Sequence, residues 1–257
     1  MKTFISITWS EGVTESESKI LMHIVAQTIA RVGQSVGPWF HSQVLPSIRP
    51  FGDWVILEMP RQSAYSSLSW YLDRCRTSDG QHVDGPAYLR LVELEPWQST
   101  TPHFDVALLH EDLVNAEGQS ELNIALPGLA AVASIYHVRR LASQEARVLG
   151  LRHLAAHTLG RAVGVPSPTR ASSASRGLAQ SRGLEGEGEG ARAGEGTDVA
   201  FQGKDLYCAK TCVMRPCTEL RQLLEYAMEG VGQDSLYCSA CERDLQAILV
   251  GSHYGLN

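Results

Sequence analysis

The chain has 257 residues, of which 44% are hydrophobic and 19% are charged, and its formal net charge is −6. These values are typical of a globular protein, and they exclude both a disordered chain and the basic charge of a nucleic-acid-binding protein. The sequence has no apolar run of about 18 residues that could span a bilayer, and its apolar N-terminal run is too short for a signal peptide. We therefore expect a cytoplasmic protein with no nucleic-acid and no membrane partner.

The first 165 residues alternate between strand and helix patterns. Strands are predicted at 2–8, 39–45, 53–58, 87–94, 104–109 and 130–138. Helices are predicted at 17–32, 62–75 and 143–163, and Ser143 is the expected N-cap of the last one. Helices interleaved with strands indicate an α/β or α+β sandwich over residues 1–165.

The composition changes sharply after residue 165. Residues 166–203 consist mainly of Ser, Ala, Arg and Gly, with a Glu/Gly run at 185–196. Such a segment cannot bury enough apolar surface to offset the entropy lost on ordering it. We therefore predict a disordered, low-complexity insertion at 166–206, followed by a cysteine-rich unit at 207–257 that ends in a helical stretch at 241–250.

The cysteines are concentrated in the C-terminal unit, with Cys75 standing alone. A secreted disulfide scaffold would be shorter and would carry its cysteines throughout, so this distribution favours thiolate–metal ligation in a reducing compartment. The pairs separated by three and two residues supply four soft ligands that suit a tetrahedral zinc ion: Cys208, Cys212, Cys238 and Cys241. Cys217 could replace one of the four, and reduced thiols without a metal are the alternative.

Two histidines lie one turn apart on the helix predicted at 143–163. His153 and His157 are separated by three residues (positions i and i+4), which places both imidazoles on one helical face within reach of a single metal ion. A pair of core or surface histidines has the same spacing. The pair alone therefore does not define a metal site.

Together with the cysteines, this pattern resembles the archaemetzincins, a family of metzincin-like zinc metallopeptidases with the motif HExxHxxGxxH followed by Cys, CxM and CxxC. The resemblance covers residues 100 to 245. It places His153, His157 and Gly160 on the motif, Met214 on the methionine turn beneath the catalytic zinc, and the four cysteines on a structural zinc. It implies a metzincin-like (zincin) α/β domain with a mixed sheet, an active-site helix and a C-terminal cysteine–zinc subdomain.

The sequence departs from the family motif at two functional positions. Leu154 occupies the position of the glutamate that takes a proton from zinc-bound water, and leucine has no titratable group. Val163 occupies the position of the third histidine. If the insertion splits the motif, Tyr207 takes that place instead, and a phenol with a pKa near 10 is a poorer zinc ligand at neutral pH. We expect one structural zinc and leave an active-site zinc open.

These departures predict a degenerate metallopeptidase that is catalytically impaired, has no catalytic residue at the motif, and binds a peptide or protein segment. The alternative is an active, aminopeptidase-like zinc enzyme with Tyr207 on the metal and Glu111 or Asp112 as the base. A third reading is a structural zinc adaptor in which the helix histidines only pack. Three further histidines near predicted strand ends could each supply a compensating ligand, although an ordinary structural role is the simpler interpretation: His103, His110 and His137.

Overall fold

A computed structural model describes residues 2–36, 45–60, 63–168, 199–202, 205–209, 211–232 and 235–254. In the N-terminal half, the elements are β1 (Phe4–Trp9), α1 (Glu15–Val36), β2 (Ser47–Gly52), α2 (Leu68–Arg74), β3 (His82–Asp84), α3 (Gly85–Glu93), α4 (Pro96–Thr100) and β4 (Phe104–Leu109). The elements that follow are β5 (Asp112–Val114), β6 (Ser120–Glu121), β7 (Asn123–Leu126), β8 (Ala130–Ser134), a 3-10 turn (Val138–Arg140), α5 (Gln144–Val163), β9 (Val199–Gln202), β10 (Asp205–Cys208), α6 (Leu220–Glu229) and α7 (Ser239–Tyr254).

The central layer is a five-stranded mixed sheet with the strand order β2–β1–β4–β8–β7. The first four strands run parallel, and β7 pairs antiparallel with β8 at the edge. The register places Ile7 of β1 opposite Val106 of β4, and Val106 opposite Ala131 of β8. The mixed sheet predicted from the resemblance is therefore confirmed.

Helices cover both faces of this sheet. Because successive side chains of a strand point to opposite faces, Val106 and Leu108 of β4 pack with α1 and α5, whereas Ala107 and Leu109 pack with α2 and α3. Apolar residues on both faces explain the apolar run Val106–Leu109 of β4, whereas β1 alternates, with Ser6 and Thr8 on the face opposite Ile5 and Ile7. The outcome is a three-layer α/β/α arrangement.

The segment predicted as a strand at 87–94 is a helix, which corrects the sequence analysis. Asp84 caps α3 by accepting a hydrogen bond from the Ala87 backbone N–H, and Pro86 lies in the first turn, where its missing N–H costs nothing. Tyr88 and Val92 are buried one turn apart. The short apolar run fits both the helical and the strand periodicity, and the helix is distinguished by the N-cap at Asp84 and not by the run itself.

Three other predicted elements differ from the structure, and a fourth is not covered by it. The strand expected at 53–58 is a single bridge at Val55, and β2 lies before it. The helix expected at 62–75 begins only after Ser67, whose side chain accepts a hydrogen bond from the Trp70 N–H and so caps α2. The strand expected at 130–138 ends at Ser134, and the 3-10 turn follows. The strand expected at 39–45 lies almost wholly outside the described residues.

The insertion predicted at 166–206 is only partly covered by the structure. Residues 169–198 lie outside the described part of the chain. The last residues of the predicted insertion are not irregular, because β9 and β10 pair there as an antiparallel hairpin. Both segments contain β-forming residues, Val-Ala-Phe and Leu-Tyr, which the low-complexity composition before them obscured.

The C-terminal helices attach the cysteine-rich unit to the rest of the fold. Helix α6 packs on α5, and α7 packs on both α1 and α5. The helix predicted at 241–250 is therefore present as the longer α7. No described helix has the length and apolar character needed to cross a membrane.

Candidate metal centres

Helix α5 carries the histidine pair and is well defined at both ends. The Ser143 side chain accepts a hydrogen bond from the Ala146 N–H, as an N-cap does, and Gly164 ends the helix with a φ of 99°. This left-handed conformation is one that glycine adopts without strain. The helix predicted at 143–163 is thus present within one residue, and it packs against β8 and β7.

His153 is buried without a hydrogen bond to either ring nitrogen among the described residues. Its ring lies 6.2 Å from the Tyr226 ring of α6, measured between centroids. Burial, with a smaller contribution from the nearby Arg215 guanidinium, lowers the pKa of His153 to about 4. The imidazole is therefore neutral at pH 7 and offers a lone pair, which is the form that binds a metal.

His157 is also buried, and one of its ring nitrogens has a partner. The side-chain amide nitrogen of Asn123 in β7 lies 2.6 Å from Nδ1, so the amide donates and the neutral ring carries its proton on Nε2. Burial, followed by the positive charge of Arg161 and by His153, holds the pKa of His157 well below its usual value, against an opposite effect of the Arg215 backbone. Zinc ligation through Nε2 requires the Asn123 amide to turn over, so that its oxygen accepts the Nδ1 proton.

Leu154 and Val163 both lie in the apolar core, each about 1% exposed. Helix α5 continues without interruption through Gly160 to Val163. Val163 is six residues beyond His157 on the helix. At ~100° per residue, its side chain is therefore rotated by about 240° around the helix axis relative to that of His157, after one full turn is subtracted. Its side chain therefore leaves from a different face of the helix than the histidines do.

Tyr207 of β10 stands beside His157. The two rings are nearly parallel, at 14°, with centroids 6.2 Å apart, and the Arg161 guanidinium lies over the Tyr207 ring at 4.9 Å. The structure thus brings Tyr207, but not Val163, to the histidines. That Tyr207 acts as a zinc ligand stays a prediction.

Met214 packs directly beneath the histidine helix. It is fully buried, and a Cβ atom placed on Gly160 would lie 2.3 Å from its Sδ. Glycine at position 160 is therefore what allows the methionine turn to approach α5 so closely. The Cys208 backbone N–H donates to the Met214 carbonyl at 2.8 Å, which ties this turn to β10.

The four predicted zinc cysteines form one compact cluster: the sulfur atoms of Cys208, Cys212, Cys238 and Cys241 all lie within 4.8 Å of one another. Cys208 Sγ and Cys238 Sγ are 3.7 Å apart. A disulfide requires about 2.05 Å, whereas two sulfurs at ~2.3 Å from a tetrahedral zinc are about 3.8 Å apart. The Cys238 N–H also donates to Cys212 Sγ at 3.2 Å. The donor set and spacing therefore fit zinc.

Contacts among these thiols also affect their protonation. Hydrogen bonds from neighbouring thiols, first from Cys208, lower the pKa of Cys238. Cys217 does not take part, because its Sγ points to the Glu219 carbonyl, and burial raises its pKa to about 12. Of the quartets that the spacing left open, the structure assembles the one without Cys217.

The cysteine cluster is coupled to the histidine helix through Tyr237. Its hydroxyl donates to the Ala156 carbonyl at 2.5 Å, and its ring lies next to Gly160. Because Tyr237 directly precedes Cys238, the position of one cysteine of the cluster depends on α5. Residues of the cysteine cluster and of α5 pack in the same hydrophobic core.

The remaining sequence candidates make their contacts elsewhere. Glu111 accepts a hydrogen bond from Ser10 and lies 3.0 Å from His110, while Asp112 accepts from Ser120 and lies 3.2 Å from His137. None of these contacts involves a helix histidine. Within the described ranges, the structure therefore places no compensating ligand or base from this set against His153 or His157.

Sequence analysis missed Asn123, Arg161 and Arg215, which surround the histidines. Arg161 and Arg215 directly follow Gly160 and Met214, so their adjacency to motif positions could have singled them out. Asn123 is 34 residues from His157, and no local pattern links the two. That contact depends on the packing of β7 against α5.

Comparisons with known proteins bear on the fold. No family model and no curated protein sequence matches this chain. In structure the chain is similar to the archaemetzincin from Archaeoglobus fulgidus, determined in complex with malonate, at 12% identity and a TM-score of 0.51 over 95% of this chain and 99% of that one. It is also similar to the archaemetzincin from Methanopyrus kandleri, at 14% identity and a TM-score of 0.52 over 96% of each chain. Both similarities extend over nearly the whole chain.

Proposed function

We propose that this chain, which has the archaemetzincin fold, is a zinc-binding protein whose metallopeptidase centre is degenerate. In this proposal, the cysteine quartet holds a structural zinc, and the histidine centre does not hydrolyse peptides by the glutamate-base mechanism. The protein acts instead by binding a peptide or protein segment.

The observation that carries this proposal is the position of Leu154. It lies in the apolar core next to His153, where a working site needs a carboxylate. Loss of a positioned general base costs on the order of 10²–10⁴ in rate. The groups that shift the pKa values of the two histidines through their charge are arginines and a histidine, not carboxylates. Such surroundings favour neutral imidazoles but provide no base for a zinc-bound water.

Zinc analysis together with a peptidase assay tests the proposal. We expect about one zinc per chain, retained in His157→Ala and lost in Cys238→Ser, and no hydrolysis of short peptides by the wild type. Hydrolysis that His153→Ala abolishes would show that the centre is active and would refute the proposal.

A gain-of-function pair provides a second test. The double variant Leu154→Glu/Tyr207→His restores both missing motif residues, and Leu154→Gln/Tyr207→His is its control of the same shape without a base. We expect the first to bind a second zinc and to hydrolyse peptides faster than the second by about 10²–10⁴. Equal activity of the two variants would contradict the assignment of position 154 as the lost base.

The position of Tyr207 favours a second candidate, an active zinc peptidase with relocated groups. Its ring stacks beside His157, where a third ligand would come from. Two zincs per chain, one of them lost in both His157→Ala and Tyr207→Phe, would support this candidate. A structural adaptor whose histidines only pack would keep its single zinc in all helix variants.

A further inference from the structure

A second group of metal-ligating side chains lies on the face of the sheet opposite the histidine helix. Glu95 follows α3, and His103 and Asp105 flank the start of β4. One ligand atom from each of the three lies within 4.8 Å of the other two. All three side chains are largely buried and line a cavity of about 400 Å³, together with the aromatic residues Trp54, Tyr71 and Trp97.

The neighbouring hydrogen bonds orient these ligand atoms towards one point. His103 Nδ1 lies 2.8 Å from the Thr101 carbonyl, so this nitrogen carries a proton and donates it, and the lone pair of the neutral ring is on Nε2. Tyr71 donates its hydroxyl to Oε1 of Glu95 at 2.6 Å, and Gln98 donates its amide to Oδ2 of Asp105 at 2.8 Å. Support of this kind from outer residues is typical of metal ligands.

His103 Nε2 faces two carboxylate oxygens. Burial disfavours the charged ring, but the hydrogen bond and the charge of Asp105 outweigh burial and raise the pKa of His103, so a metal ion at Nε2 would displace a proton. His103 Nε2 is 3.1 Å from Asp105 Oδ2 and 3.9 Å from Glu95 Oε2, with the Gln98 amide nitrogen at 3.4 Å. Glu95 Oε2 is buried and has no hydrogen-bond partner among the described residues. Three acceptor atoms at this spacing require a cation or a proton between them, since an unpaired buried carboxylate oxygen is costly.

The nearby cations of the protein do not fill this role. The Lys2 ammonium donates to the His103 carbonyl at 2.6 Å, and the Arg49 guanidinium stacks on the Phe4 ring at 4.2 Å. In the described part of the chain, neither forms an ion pair with Glu95 or Asp105. Asp105 Oδ2 already accepts from Gln98 and lies against His103, so the inner oxygen without a hydrogen-bond donor among the described residues is Oε2 of Glu95.

We propose that Glu95, His103 and Asp105 bind a divalent metal ion that favours oxygen ligands, such as Mn²⁺, with its open coordination positions towards the aromatic cavity. Ligand atoms about 2.1 Å from a metal are about 3.0 Å apart in octahedral geometry and about 3.4 Å apart in tetrahedral geometry. The 3.1 Å between His103 Nε2 and Asp105 Oδ2 agrees with these values, whereas the 3.9 Å to Glu95 Oε2 is longer, so the Glu95 carboxylate has to move inward to bind. One imidazole with two carboxylates suits zinc and manganese, and it contrasts with the soft thiolates of the cysteine quartet. This site is independent of the histidine centre.

Manganese separates this site from the cysteine quartet, because Mn²⁺ prefers oxygen and nitrogen ligands to thiolates. The full-length protein, loaded with one equivalent of zinc so that the thiolates are occupied first, is titrated with Mn²⁺, and the free ion is followed by its electron paramagnetic resonance signal. We expect Glu95→Gln to bind one Mn²⁺ per chain fewer than the wild type, or to bind it at least tenfold more weakly. Glu93→Gln, two residues away and exposed, is the matched control and should bind as the wild type does.

Thermal unfolding distinguishes the loss of a metal ligand from a folding defect in the variants. Glu95→Gln keeps an acceptor for Tyr71, and Asp105→Asn serves as the second ligand variant. Mn²⁺ should raise the Tm of the wild type and of Glu93→Gln, but not the Tm of either ligand variant. Equal Mn²⁺ uptake by the wild type and Glu95→Gln, or no uptake by the wild type, would overturn the proposal and leave only a proton shared by the three groups. Neither result depends on His153 or His157, so the proposed function is tested separately.

Discussion

Substitution of Gly160 by alanine tests the close approach of Met214 to α5. The new Cβ would lie 2.3 Å from Met214 Sδ, 3.0 Å from its Cε and 3.2 Å from Cε1 of Tyr237. Normal carbon contacts begin near 3.5 Å, so the buried sulfur would have to move by more than about 1 Å. Such overpacking costs roughly 1–3 kcal/mol, while alanine in a helix interior gains about 1 kcal/mol over glycine. We expect a net loss of about 1 kcal/mol.

Gly150 of the same helix provides the matched control. A Cβ atom there would lie 3.5 Å from Cδ2 of Leu223 and 3.6 Å from Cδ1 of Leu141, which is ordinary contact. Gly150→Ala should therefore keep the helix gain and raise the free energy of unfolding by about 1 kcal/mol. The helix term cancels between the two variants, so the difference between them, roughly 1–3 kcal/mol, measures the steric term alone.

Urea unfolding of the zinc-loaded variants gives both free energies, and thermal unfolding should show Tm shifts of about 2–4 °C in opposite directions. In a Met214→Ala background, the steric conflict is absent, and Gly160→Ala should become stabilising. The reasoning is wrong if Gly160→Ala is as stable as Gly150→Ala, or if its effect is unchanged when Met214 is truncated.

Two further predictions concern zinc and pH. Cys238→Ser should lose zinc and be strongly destabilised, because structural zinc contributes on the order of 10 kcal/mol to the stability of small zinc domains. Cys217→Ser should keep its zinc. Elemental analysis measures the zinc content of both variants. The pKa of His153 falls from 6.5 to about 4 on folding, so the unfolded chain takes up a proton that the folded chain does not as the pH falls through this interval. Between pH 6.5 and pH 4, the free energy of unfolding of the wild type should therefore fall by about 3 kcal/mol more than that of His153→Leu. Urea unfolding at each pH measures both free energies. Coincident pH profiles of the two proteins would contradict this prediction.

The sequence predicts those elements whose signals are local. Strand β1 alternates between Ile5 or Ile7 and Ser6 or Thr8, β4 contains the apolar run Val106–Leu109, and α5 begins at a strong N-cap. The pattern alone therefore predicts all three elements. Helix α3 was misassigned because a short apolar run fits either period. Helix α6 was missed altogether, since its glutamate N-cap makes no side-chain capping hydrogen bond and its buried face is small.

The same distinction applies to the metal centres. The histidine pair and the cysteine quartet can each be predicted from the spacing of their residues along the chain, because helical turns and short loops place such residues side by side. The cluster of Glu95, His103 and Asp105 follows no metal-ligand spacing and depends on the packing of α2 and α3 against β4. From the sequence, His103 is either a compensating ligand of the helix site or, more simply, an ordinary structural histidine, and the structure places it on the other side of the sheet.

The alternation of β4 has a consequence for how this protein tolerates insertions and deletions. Val106 points to the layer that holds the histidine helix, and Asp105 points to the aromatic cavity on the other side. Losing one residue near the start of β4 would exchange the two sides, placing a carboxylate under α5 while emptying its place in the cavity. Losing two would restore the sides. We therefore expect this strand to tolerate only insertions or deletions of an even number of residues.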